Sequence, residues 1–177
     1  MYDKKSQDHF IKNNTIKTLV VIDKKDIIKI GDIIIPSPVG VSIDRKTGRV
    51  ITPIHFELIN ESQFQPLILH DLLINQGFVH VKMIIDNPDP IPCSEMKQNT
   101  TKEIFIPVQN ITKIEGIEPS DIVQEKKSIL SFSVFGIPIP NEPDCIGQKS
   151  NLIVKVILKI QIIILRDKFI KISDWQW

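Results

Sequence analysis

Apolar and polar side chains alternate along most of this chain, beginning at Thr15. In residues 78–85 the odd-numbered positions are all apolar, whereas His80 and Lys82 lie between them. Successive side chains of a β-strand point to opposite faces, so a period of two residues is typical of a half-buried strand. The pattern therefore predicts strands rather than amphipathic helices.

The longest alternating run covers residues 152–165. Lys155, Lys159 and Gln161 interrupt one face of this run, and the other face is entirely apolar. A helix would place apolar residues at every third and fourth position, so this run predicts the strongest strand in the chain. The predicted buried face consists of Leu152, Val154, Val156, Leu158, Ile160, Ile162 and Ile164.

Segments rich in proline, glycine or charged residues separate about eight to ten such runs. The predicted strands include 15–22, 27–35, 49–59, 67–74, 78–85, 103–114, 128–137, 152–165 and 169–172. Polar turns are predicted at 23–26, 75–77 and 166–168, a turn around Gly48 at 45–49, and one short helical turn at 115–121. Proline-rich loops are predicted at 87–98 and 138–150.

Two predictions concern single strands. Pro107 lies inside the run 103–114, and it indicates an edge strand or a bend because proline has no backbone N–H to donate. In the run 128–137, the side chains of Leu130, Phe132 and Val134 are predicted to share one face.

Many short strands without a convincing helix predict an all-β fold, either an antiparallel β-sandwich or a jelly-roll-like barrel. Residues 15–177 are predicted to form a single β domain. Residues 1–14 are polar and without periodicity, so they predict a flexible N-terminal arm. This arm is either a disordered tail or a segment that docks on a neighbouring subunit.

The composition strengthens the all-β prediction and narrows the choice of partners. Isoleucine occupies 36 positions and alanine none, which favours strands. The net charge is +1 and only three residues are arginine, so nucleic acid is not an expected partner. Residues 1–14 contain no apolar core of a signal peptide, and no stretch is long and apolar enough for membrane insertion. Synthesis in the cytoplasm is the expectation.

Motifs for enzymatic chemistry are missing from the sequence. It contains no HxH, HExxH or CxxC metal motif, no GxSxG nucleophile motif, and no glycine-rich phosphate loop. We therefore expect a protein without catalytic residues, cofactor or metal.

Five residues are candidates for contacts or covalent links. Cys93 and Cys145 end two proline-containing loops, and they fit a bond between these loops, bonds between subunits, or free thiols. Trp175 and Trp177 either pack back on the domain or anchor a subunit interface, where tryptophan is enriched. Phe10 is a further candidate interface anchor in the N-terminal arm.

Several stretches, in order, resemble one protein family. Residues 33–42 resemble a strand that ends in a Thr-Pro-Val-Gly-Thr-Ser-like motif, and residues 72–85 resemble a strand pair with a Leu-Ile-x-x-Gly motif. Residues 103–108 resemble an apolar–Val-Pro-Phe segment, and residues 152–172 resemble a closing strand and hairpin. On these stretches the chain resembles the SPOCS-domain family of clostridial spore-coat proteins, with a longer insert between Gly40 and Gly77 and without a LysM module.

This resemblance implies a non-enzymatic structural subunit of the spore surface, in the coat, the exosporium or an appendage. Such a subunit would be made in the mother cell and deposited on the spore. It would self-assemble through strand edges and the arm, with itself and other spore-coat proteins as partners. The alternative hypothesis is a soluble β-sandwich binding module that recognises a glycan or a protein.

Overall fold

A computed structural model describes residues 15–44, 46–86, 100–137 and 150–171, which form seven strands and no helix. The strands are β1 (Thr15–Pro36), β2 (Ile54–Leu58), β3 (Gln63–Leu69), β4 (Leu72–Ile85), β5 (Thr100–Lys113), β6 (Ile122–Ile137) and β7 (Asn151–Lys171). Three of them exceed 15 residues, which is long for a globular protein.

The strands form two antiparallel sheets. Sheet I has the order β1-β7-β6. In sheet II the central strand β4 pairs with β5 along one edge, and with β3 and β2 in succession along the other. The two sheets pack face to face, which confirms the prediction of an antiparallel β-sandwich.

The core lies between the two central strands, β7 and β4. All seven even-numbered residues predicted for the buried face of 152–165 are buried, as are the odd-numbered residues of 79–85. Ile104, Ile106 and Val108 of β5 complete the layer opposite β7. Alternation therefore identified both sides of the core directly from the sequence.

The outer strands β1 and β5 approach each other at one side of the sandwich. A Cβ atom added to Gly31 of β1 would lie 2.5 Å from the carbonyl oxygen of Pro107 on β5. Among the described strands β5 pairs only with β4, so Pro107 occupies an edge strand as predicted.

Two predicted turns are wrong because β1 and β7 are much longer than expected. Residues 23–26 continue β1, and the only irregularity nearby is a bulge between Val21 and Asp23. Residues 166–168 continue β7, where Arg166 pairs with Val20 and Lys168 with Thr18. The polar residues at both places are accommodated in a paired ladder, so they do not reverse the chain.

The predicted turn at 75–77 is also wrong. These residues lie inside β4, and the chain instead reverses at Asp71, which has φ of 58°. The strand predicted at 67–74 is thus divided between β3 and β4. Gly77 is required here for close packing, since an added Cβ would lie within 2 Å of the carbonyl oxygen of Gln63.

Three smaller predictions have different outcomes. The turn at Gly48 is confirmed, with φ of 69° and a 2.7 Å hydrogen bond from its N–H to the carbonyl of Asp44. Residues 115–121 form turns without a helix. Leu130 does not share the face of Phe132 and Val134, because a bulge between Ile129 and Ser131 displaces it outward.

Candidate functional site

The outer face of sheet I carries a row of exposed isoleucines on its edge strand. Ile28, Ile30 and Ile34 of β1 are 68%, 59% and 58% exposed. Alternation along β1 places all three on the face opposite the core. We call these three residues the β1 stripe.

Neighbouring strands extend the β1 stripe across the sheet. Ile34 pairs with Ile153 of β7, which pairs in turn with the exposed Phe135 of β6. Exposed apolar residues that extend over several strands mark an interaction site more often than single exposed residues do. The face can therefore bind an apolar partner surface.

Charged residues of both signs interrupt and border this face. Asp32 pairs in register with Lys155 between the apolar rows, and Lys159 forms a 2.8 Å ion pair with Asp26 at one end. Hydrogen bonds from Lys159 and then Gln161 lower the pKa of Asp26 below its ordinary value. A face with both signs of charge does not select a partner of one sign.

The free edge of β1 adds backbone groups to this surface. Among the described strands, β7 is the only one that pairs with β1, so the opposite edge of this 22-residue strand has no ladder partner. An unpaired edge presents N–H and C=O groups that can pair with another chain.

The β1–β7 ladder also extends beyond the rest of sheet I. The first residue of β6, Ile122, pairs with Leu165, so residues 15–20 and 166–171 form a two-stranded ribbon. Ile16, Leu19 and Phe169 of this ribbon are exposed, and Phe169 reaches 72%. A two-stranded ribbon is only marginally stable alone, so apolar residues on it favour docking.

A polar cluster lies between the two sheets, around the ring of Phe64 on β3. The ammonium of Lys127 on β6 lies 4.7 Å from the ring centroid, and that of Lys29 on β1 lies 5.7 Å from it. Lys127 Nζ is 3.5 Å from Glu125 Oε2, and Asn75 Nδ2 donates a hydrogen bond to Glu125 Oε1. We call Lys29, Asn75, Glu125 and Lys127 the intersheet cluster.

Two atoms of the intersheet cluster are buried without a hydrogen-bond partner among the described residues. They are Lys29 Nζ and Asn75 Oδ1. Burial lowers the pKa of Lys29, the attraction of Glu125 opposes this shift, and repulsion by Lys127 adds to it. Buried polar groups are normally paired, so both atoms require a chemical explanation.

The outer face of sheet II carries a small aromatic group. The rings of His80 and Phe105 stack with centroids 4.1 Å apart, and Phe78 meets Phe105 edge to face at 5.3 Å. Glu103 Oε2 lies 3.3 Å from His80 Nε2, and Asn60 Nδ2 lies 3.3 Å from His80 Nδ1. Aromatic surface beside such polar groups is a second candidate binding site.

The structure does not test the site residues predicted from the sequence. Phe10, Cys93, Cys145, Trp175 and Trp177 are outside the described residues, so their roles stay predictions. The β1 stripe was visible in the sequence only as part of a strand, because alternation does not distinguish an inner strand from an edge.

The intersheet cluster was not predicted. Lys29 could have been identified, since it occupies an inward position between Ile27 and Gly31 in an apolar run. The prediction of a turn at 75–77 prevented the identification of Asn75 as an inward residue of a strand. Nothing in the sequence indicated that Glu125 would approach them.

Within the described ranges, no group of three or more His, Cys, Asp or Glu side chains could hold a metal ion. The same ranges contain no helix that is long and apolar enough to cross a membrane. No protein-family model, curated protein or solved structure matches this chain.

Proposed function

We propose that the protein is a non-enzymatic structural subunit that assembles with copies of itself. The observation that carries the proposal is the β1 stripe, three isoleucines each more than half exposed on a strand whose outer edge has no ladder partner among the described strands. Exposed apolar patches on a protein surface mark sites of interaction. The most direct partner is a second copy, which brings the same apolar stripe and the same unpaired edge.

The free energies of burial and of association indicate which contacts would hold the copies together. Burying the exposed parts of the three stripe side chains contributes about 3–6 kcal/mol per copy. Association costs about 4–15 kcal/mol of translational and rotational freedom. Side-chain burial alone would give weak association, so backbone pairing at the β1 edge is needed as well. Repetition of such a contact without closure produces a fibre or sheet.

The proposed location is the spore surface, in the coat, the exosporium or an appendage. It is supported by the resemblance of residues 33–42, 72–85, 103–108 and 152–172 to the SPOCS-domain family. Other spore-coat proteins are the corresponding partners. The N-terminal arm and the two cysteines would add contacts or covalent links between copies.

The test compares two double variants that add the same charge to opposite faces. Ile28→Lys/Ile30→Lys alters the β1 stripe, and Leu67→Lys/Ile111→Lys alters exposed apolar residues of sheet II. Light scattering and electron microscopy should show assembly for the wild type and the sheet II variant but not for the stripe variant. Equal assembly of both variants, with circular dichroism confirming that both are folded, would contradict the proposal.

The second candidate function is recognition of a glycan, supported by the aromatic group of Phe78, His80 and Phe105. Phe105 is 49% exposed, and Glu103 and Asn60 supply polar groups at its border. Titration calorimetry with soluble oligosaccharides should detect binding that Phe105→Ala removes and the control Phe135→Ala retains. Absence of binding to every oligosaccharide would eliminate this candidate.

A further inference from the structure

The intersheet cluster contains the three kinds of group needed to form an amide bond between side chains, and Glu125 interacts with both of the others. Lys29 supplies an amine, Asn75 supplies a carboxamide carbon, and Glu125 supplies a carboxyl group that can carry a proton. Glu125 already accepts a hydrogen bond from Asn75 Nδ2. Lys29 and Asn75 are buried to 97% and 99%, being only 3% and 1% exposed, so water is excluded from both reacting groups.

We propose that Lys29 and Asn75 form an intramolecular isopeptide bond between β1 of sheet I and β4 of sheet II, with Glu125 transferring the proton. This inference does not depend on self-assembly, because the bond would form within one copy of the chain. It assigns a covalent modification to the two residues whose Nζ and Oδ1 atoms are buried without a hydrogen-bond partner among the described residues.

The reaction is balanced without an oxidant or a co-reactant. The neutral amine of Lys29 attacks Cγ of Asn75, and a C–N bond forms. Glu125 takes a proton from the attacking nitrogen and delivers it to the Asn75 amide nitrogen, whose bond to Cγ breaks. The products are a secondary amide and one molecule of ammonia, and Glu125 is returned to its initial state.

The surroundings of the two lysines identify Lys29 as the nucleophile. Lys127 Nζ is already held by Glu125 and by the carbonyl of Ser62, at 3.5 Å and 3.2 Å. Lys29 Nζ has no such partner among the described residues. Burial also lowers its pKa, which increases the fraction of neutral amine. Lys127 acts as a positioning residue that orients the carboxyl of Glu125.

The bond would also explain why polar groups persist inside an apolar core. An ammonium without a partner in the interior is costly, whereas a secondary amide is neutral and offers one donor and one acceptor. A covalent link between the sheets would keep the sandwich closed under mechanical load or heat.

The first test is the intact mass of the purified full-length chain. We expect a mass below that of the sequence by one ammonia, about 17 Da. Tryptic mapping should yield a branched peptide that joins Lys29 to Asn75, with no cleavage after Lys29. The full sequence mass, or an ammonia loss confined to a linear peptide, would overturn the proposal.

Variants then test the role of each residue. Lys29→Met and Asn75→Ala should each restore the full mass, and Glu125→Gln should at least greatly slow the reaction. Lys126→Met is the matched control, since it removes a lysine from an exposed position of β6 and leaves all four residues of the intersheet cluster in place. If the Lys29→Met variant still lost one ammonia and gave a branched peptide, Lys29 would be excluded as the nucleophile. Some variants could fail to fold, but the peptide map of the wild-type protein tests the proposal without them.

Discussion

At the scale of single residues, the buried carboxylate of Asp121 fixes the turn that follows β5. Its two oxygens accept hydrogen bonds of 2.6 and 2.7 Å from Nε and Nη2 of Arg166 on β7. Arg166 also donates to the carbonyl of Gly116 at 2.7 Å. The Asp121 side chain has no exposed area, whereas that of Arg166 is 25% exposed, so the pair is partly buried.

Removal of this carboxylate should destabilise the protein measurably. Asp121→Ala leaves Arg166 without its bidentate partner, and we expect a loss of about 2 kcal/mol in the free energy of unfolding. Urea denaturation at neutral pH measures this loss of stability. The control Asp167→Ala breaks only the exposed pair with Lys17, and should change stability by less than about 0.5 kcal/mol. Equal effects of the two substitutions would contradict the assigned role.

The same pair predicts a dependence on pH. The hydrogen bonds from Arg166 lower the folded-state pKa of Asp121 below its ordinary value of 3.8, although burial opposes the shift. The stabilisation is therefore complete above 3.8 and is lost as the pH falls through the folded-state pKa. The stability difference between wild type and Asp121→Ala should narrow below pH 3.8. A stability difference that stays constant as the pH falls below 3.8 would contradict this prediction.

At the scale of elements, the close approach of β3 to β4 depends on a glycine at a position where no side chain fits. Gly77 of β4 faces the backbone of β3 so closely that any Cβ would collide with the carbonyl of Gln63 and with Phe64. A larger residue would force β3 away from β4. The same displacement would move Phe64, on which both lysines of the intersheet cluster converge.

Gly77→Ala should therefore cost about 2–3 kcal/mol of stability, in the range for overpacked sites. Thermal or urea unfolding provides the measurement. Gln76→Ala, at the adjacent exposed position of β4, should change stability by less than about 0.5 kcal/mol. If Gly77→Ala were as stable as the wild type, β3 would not be as close to β4 as described.

The comparison of sequence with structure is also clearest at this scale. Alternation predicted the inward odd-numbered residues 79–85 of β4 and the even-numbered residues 152–164 of β7, because these positions are all buried. The polar stretches 23–26, 75–77 and 166–168 were mistaken for turns. Long-range pairing with β7, β5 and β1 keeps these stretches extended, and local turn preferences carry no information about that pairing.

The candidate site was less predictable than the fold for a related reason. Lys29 and Asn75 belong to different sheets, and both interact with Glu125 only because those sheets pack together. Similarly, the location of Ile28, Ile30 and Ile34 on an edge strand follows from the position of β1 in the strand order. Strand order is a property of the whole fold, and no periodicity of side chains encodes it.

At the scale of the whole molecule, a well-packed core is combined with an outer surface that exposes many large apolar side chains. The space between the sheets is filled by residues that are almost completely buried, while large apolar side chains remain exposed on β1, on the ribbon and on β6. The proposed isopeptide bond would stiffen the interior, and the exterior would join copies. Both properties suit a load-bearing subunit, and they can be tested separately.

Sedimentation velocity of the full-length chain over a wide concentration range tests self-assembly most directly. Self-assembly predicts that the weight-average sedimentation coefficient rises with concentration, with and without a reducing agent, because the β1 stripe and edge are non-covalent contacts. A single boundary at the coefficient of a 20.2 kDa monomer, unchanged at the highest concentration, would contradict it.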